Sequence, residues 1–167
     1  MAMLIGEYKH NLDAKRRLAI PSKFRKELEE ELPDGASSDA IGSGRRLSAK
    51  AGAILTRGLD NCLFIFPSKY WAPFAEMLAG LSMAKQDTRS FARLFLSGAV
   101  EVEFDSLGRI LIPEHLKKYA NLDKSVVVAG LFNRLEIWDE ERWNVYKANL
   151  EKNSDTIAEK LGELGIL

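Results

Sequence analysis

The chain contains itself twice, and this constrains its fold more than any other feature. GEYKHNLDAKRRLAIPSKFRK (6–26) lines up with GAVEVEFDSLGRILIPEHLKK (98–118) at a constant offset of 92. Gly6/Gly98, Asp13/Asp105, Arg17/Arg109, Ile20/Ile112, Pro21/Pro113 and Lys26/Lys118 are identical. Apolar positions also correspond: Leu12 with Phe104, Leu18 with Ile110, Phe24 with Leu116. ILTRGLDNCLFIFPSKYW (54–71) then lines up with VVVAGLFNRLEIWDEERW (126–143) at an offset of 72, with six identities from Gly58/Gly130 to Trp71/Trp143. The offsets differ by 20, so the first copy carries that many extra residues between its halves. PDGASSDAIGSGRRLSAKAG (33–52) supplies them. It is rich in Gly, Ser and Ala without periodicity and reads as a loop or disordered insertion, with Arg45, Arg46 and Lys50 as solvated charges or polyanion contacts.

Each copy predicts the same order of elements. Val100, Val102 and Phe104 alternate with Glu101, Glu103 and Asp105, the period-two pattern of a half-buried strand. Asp105-Ser-Leu-Gly-Arg109 makes a tight turn in which Gly108 supplies a left-handed residue cheaply. Ile110–Ile112 returns, and Pro113 ends the ladder and starts a short helix. A second hairpin follows, with Gly58-Leu-Asp-Asn61 and Gly130-Leu-Phe-Asn133 as the turns. Helices open at Pro67-Ser68 and Asp139, carrying Trp71 and Trp143 as core anchors. The order per copy is β-β-α-β-β-α, an α+β class with two pseudo-symmetric units. The expected division is a first repeat over 1–80, a linking helix within 81–97 (about Gln86 to Ser97), a second repeat over 98–150, and a C-terminal amphipathic helix over 151–167. A copy of this size buries little surface alone, so pairing of the copies completes the core.

Catalytic chemistry finds no support. The two histidines stand apart, His10 in a strand and His115 in a short helix. GSGRR (42–46) lacks the pattern of a phosphate loop, and neither GxSxG nor HExxH occurs. Cys62 is the only cysteine, which excludes an intramolecular disulfide and any CxxC metal site. No metal, cofactor or small-molecule substrate is therefore expected. No apolar run approaches the roughly 20 residues that span a bilayer. The N-terminal MAMLIGEYKH has no signal-peptide core, so the cytoplasm is the expected compartment.

The informative constellation is Asp-x-x-x-Arg, at Asp13/Arg17 and Asp105/Arg109. A carboxylate flanking a three-residue loop can cap loop amides and pair with the guanidinium fork. Holding the turn is the plain reading of both, and it is favoured for the second, whose window 101–118 has four acids against three bases. The first differs. The protein as a whole has 24 basic and 24 acidic residues, yet 9–26 holds Lys9, Lys15, Arg16, Arg17, Lys23, Arg25 and Lys26 against Asp13 alone. A cationic two-stranded ribbon suits the major groove, with lysines on phosphates and an arginine held by Asp13 aimed at phosphate or guanine. A merely solvated basic face is the competing reading.

These turns, Asp13-Ala-Lys-Arg-Arg17 and Asp105-Ser-Leu-Gly-Arg109, together with GEYKHNLD, LTRGLDNCLFIFP and GLFNRLEIWDEERW, resemble the MraZ family over nearly the whole chain outside 33–52. The resemblance implies two swapped-hairpin repeats of the AbrB/SpoVT, double-split β-barrel type. It implies a nucleoid-associated bacterial transcriptional regulator, commonly a repressor. Such a protein binds short direct repeats in double-stranded DNA upstream of the division and cell-wall gene cluster as a homo-oligomeric ring. Carried onto this chain, Lys15 and Arg17 contact DNA with Asp13 as orienting partner, and Arg16 and Lys9 are added on charge. Asp105, Gly108 and Arg109 shape the second turn. Arg16 stands where the family turn usually has glycine, at a cost of roughly 1–2 kcal/mol if φ is positive. The alternative is a swapped-hairpin protein-interaction scaffold like an antitoxin, which would show a disordered C-terminal clamp.

Overall fold

The computed structural model describes residues 3–29 and 52–166. The expected insertion over 33–52, apart from Gly52, lies outside the described residues. The first copy gives β1 (Leu4–Asn11), β2 (Arg17–Ala19), α1 (Ser22–Leu28), β3 (Ala53–Arg57), β4 (Leu63–Pro67) and α2 (Ser68–Ala79). Helix α3 (Gln86–Gly98) links the copies. The second gives β5 (Val100–Val102), β6 (Arg109–Leu111), α4 (Glu114–Tyr119), β7 (Ser125–Phe132), β8 (Leu135–Asp139) and α5 (Glu140–Lys152). Asn153 separates α5 from the last helix, α6 (Ser154–Glu163). The order β-β-α-β-β-α is thus found in both copies of a mixed α+β protein. Pro21, Pro67 and Pro113 each precede a helix, where a proline's fixed φ suits the entry and its missing N–H is not needed. Asp139 caps α5, its carboxylate accepting from the Arg142 amide at 3.2 Å.

The copies do not fold side by side. In the six-stranded sheet the order is β1-β7-β8-β4-β3-β5, so each opening strand pairs with the other copy's third strand. β2 and β6 form a separate antiparallel ladder in which Leu18 faces Ile110, with Arg17 opposite Leu111 and Ala19 opposite Arg109. Leu18 and Ile110 are equivalent in the repeat, so a pseudo-dyad passes between them. It passes again between β4 and β8, where Phe64 faces Glu136.

Alternation sorts the side chains into two cores. Ala53, Leu55, Leu63, Ile65, Val126, Val128, Leu135 and Ile137 point to one face, closed by Leu18 and Ile110 and by Phe24 and Leu116 of α1 and α4. Ile54, Phe64, Phe66 and Trp138 point to the other, under Trp71 and Leu78 of α2 and Phe95 of α3. Trp71 is a core anchor as expected, whereas Trp143 is only partly buried. Glu136 is buried on this second face, with Arg134 Nη2 at 3.1 Å and Trp138 Nε1 donating at 3.0 Å, so its charge is paired.

The second long hairpin corrects one expectation. Gly130 and Leu131 are strand, not turn: β7 runs to Phe132 and pairs with β1 along Leu4–Asn11. Arg57 faces Leu63, but it is Gly130 that faces Leu135. Gly130 is therefore equivalent to Arg57, and the identity of Gly58 with Gly130 is out of register by one. The second loop is shorter by one residue, closing at the 2.9 Å bond from the Leu131 amide to the Arg134 carbonyl. Gly130 serves a different purpose from a turn glycine. A Cβ there would lie 2.7 Å from the Leu4 carbonyl carbon, because β1 passes close by.

Candidate nucleic-acid interface

The two Asp-x-x-x-Arg turns are built alike. Asp13 Oδ1 accepts from the Lys15 amide at 2.9 Å and the Arg17 amide at 2.8 Å, and Oδ2 accepts from Arg17 Nε at 2.8 Å. Asp105 does the same for the Leu107 amide, the Arg109 amide and Arg109 Nε, at 2.9, 3.0 and 2.7 Å. The backbone closes each loop with two bonds: the Asp13 amide donates to the Arg17 carbonyl and the Arg16 amide to the Asp13 carbonyl, and the Asp105 and Gly108 amides donate likewise to the Arg109 and Asp105 carbonyls. One aspartate thus fixes both the loop and the arginine that follows it. The Arg17 and Arg109 amides are the main reason the two carboxyls ionise below the usual aspartate range.

The ladder between β2 and β6 sets the turns together. Arg109 Nη1 approaches Asp13 Oδ2 at 3.9 Å, so the first aspartate faces both arginines. Arg17 uses its backbone amide and Nε on Asp13, and among the described residues its Nη groups have no partner. Lys15 is exposed at the tip, likewise without a side-chain partner among the described residues.

The other two cations added on charge are engaged within the protein. Lys9 pairs with Glu140 of α5 at 2.7 Å. Arg16 has φ 60°, matching the 72° of Gly108, so the first turn keeps the glycine geometry with an arginine in it. Its Nε donates to the Ile112 carbonyl at 3.1 Å and its Nη1 meets Glu114 at 3.2 Å. Sequence reasoning missed these partners, and it missed that Arg25 of α1 lies over Gly108. A Cβ on Gly108 would be 1.7 Å from Arg25 Nη1. No local signal could have found either contact, since both cross between repeats.

The Cys62 thiol is buried just before β4, and desolvation pushes its ionisation far up, as for an inert core residue. Among the described residues no cluster of His, Cys, Asp and Glu could hold a metal ion, and no helix is long and apolar enough to cross a membrane.

A family profile described as "MraZ protein, putative antitoxin-like" matches residues 3–94 and again 95–163. The chain belongs to the MraZ family. The MraZ relatives are similar from end to end. "Transcriptional regulator MraZ" of Caldicellulosiruptor saccharolyticus is 45% identical over 98% of this chain and all of its own length. The protein of that name from Clostridium tetani is 44% identical over the same shares, and that from Halothermothrix orenii 41%. MraZ proteins are transcriptional regulators and not enzymes, and this chain is one of them.

Proposed function

We propose that the protein is a sequence-specific DNA-binding regulator that represses the bacterial division and cell-wall gene cluster, acting in the cytoplasm at the nucleoid. The observation that carries this is the first turn: Asp13 locks the loop and the Nε edge of Arg17, leaving the Nη edge and the Lys15 ammonium toward solvent. A guanidinium oriented in this way suits guanine O6/N7 or a phosphate, while Lys15 suits a phosphate alone. Arg16 and Lys9 belong to the same cationic stretch, though each spends its charge on a glutamate in the free protein. The repeats, divided at about residues 80 and 98 by α3, are read as swapped hairpins of the AbrB/SpoVT type. The pairing of β1 with β7, β5 with β3 and β2 with β6 supports that reading. Several copies in a ring would engage successive promoter repeats at high effective concentration.

An antitoxin-like scaffold is the weaker reading, because residues 140–163 form helices α5 and α6 rather than a loose clamp. Footprinting of the DNA immediately upstream of the gene encoding this chain tests the proposal. Protection of short direct repeats is expected, with an affinity that falls steeply with salt. No protection, or a flat salt dependence, defeats it. Light scattering fixes the number of subunits.

A further inference from the structure

The first turn departs from the second at Arg16, and the structure shows what the departure brings. Gly108 takes up its positive φ freely, whereas a side chain there costs roughly 1–2 kcal/mol. The turn's own hydrogen bonds do not require the larger residue, because the Gly108 turn makes the same set. What Arg16 adds lies outside its turn. Its Nε donates to the Ile112 carbonyl and its Nη1 pairs with Glu114, whereas the bond its carbonyl accepts from the Ile112 amide has a counterpart in the other half, from the Ile20 amide to the Gly108 carbonyl. Both side-chain partners belong to the second repeat, where β6 gives way to α4. On the other side of the pseudo-dyad, the space above Gly108 is taken by the Arg25 guanidinium from α1. The equivalent of Arg25 at offset 92 is Lys117, which lacks the planar fork. A guanidinium thus crosses between the repeats at each turn: from α1 onto Gly108 in one half, from the turn itself onto Ile112 and Glu114 in the other.

We propose that Arg16 is a positioning residue that clasps the first turn to the second repeat, in place of a helix-borne guanidinium, and so presents Arg17 and Lys15 in a fixed geometry. Its side chain and that of Glu114 are 38% and 50% exposed, so the ion pair adds little to the stability of the fold. The clasp acts through orientation, with Nε and Nη1 committed before any ligand arrives. Its consequence for binding rests on the DNA-binding reading above; its geometry does not.

Arg16→Gly, the double variant Arg16→Gly/Lys117→Arg, and Lys15→Ala test this together. Affinity is measured across salt concentrations on the duplex immediately upstream of the gene encoding this chain. Hydrogen exchange of the Lys15 and Arg17 amides is measured without DNA. Arg16→Gly is expected to weaken binding about tenfold, to leave the slope of log affinity against log salt unchanged, and to speed exchange at both amides. The double variant restores affinity and protection. Lys15→Ala, as the phosphate contact, lowers the slope by about 1. A loss of slope in Arg16→Gly would overturn the proposal, because Arg16 would then be neutralising a phosphate. Unchanged exchange in that variant would overturn it too. If the wild-type protein binds no duplex, the DNA-binding reading fails, and the exchange measurement still decides the clasp.

Discussion

The first and second turns have one backbone and two characters. Each loop is gripped by its aspartate through two amides and one guanidinium edge, with distances that agree to within about 0.2 Å. At the tip, however, Lys15 in one is Leu107 in the other, and that leucine is 68% exposed. Arg16 in one is Gly108 in the other. A symmetric dimer of one short chain would have to carry the same side chains on both tips. Fusing the two copies keeps the frame and frees each tip to diverge. The frame is what the two copies share, and the side chains above it are where they differ.

The largest test of this contrast is Arg17→Ala. It is expected to abolish binding to the upstream duplex, a loss of at least about 100-fold, with the mass by light scattering unchanged. Arg109→Ala is expected to cost less, about tenfold, through the second turn and its 3.9 Å approach to Asp13. Equal losses for the two arginines in a mobility-shift titration would erase the distinction between the turns. Leu107→Lys gives the second tip the charge of the first, and should raise the salt slope by about 1 while tightening binding several-fold. An unchanged slope would place that tip away from the phosphates.

Acid should act on both turns alike. Folding lowers the ionisation of Asp13 and Asp105, so their contribution is complete above the ordinary aspartate value, near pH 4, and is lost as the pH falls through the depressed values. The amide resonances of Lys15, Arg17, Leu107 and Arg109 should hold steady down to about pH 4 and shift together below it. Separate transitions would show that the two grips differ.

Much of this frame is legible in the amino-acid sequence, because it depends on local patterns. Val100, Val102 and Phe104 alternate, Asp and Arg stand four apart around a turn, and proline marks three helix starts. What depends on distant pairing is not legible in the same way. Nothing local makes Gly130 extended rather than turned; the passing backbone of Leu4 and Ile5 does so. Matching Gly58 to Gly130 by identity therefore misplaces β7 by one residue, while β4 and β8 remain in step. The site divides along the same line. Arg17 and its aspartate are readable within five residues, but Glu114 behind Arg16 and Arg25 above Gly108 come from the opposite repeat.

The crossing of strands between copies also sets a timetable for folding. Leu4 has its sheet neighbour at Phe132, and that neighbour leaves the ribosome only when most of the polypeptide has been made. Until then β1 is an unpaired ribbon edge, and the ladder of β2 waits for β6. Such distant closures are slow, and they leave apolar edges open to other chains in the meantime. A nascent chain stalled before residue 125 therefore lacks the sheet partner of its first strand, however well its leading half is made.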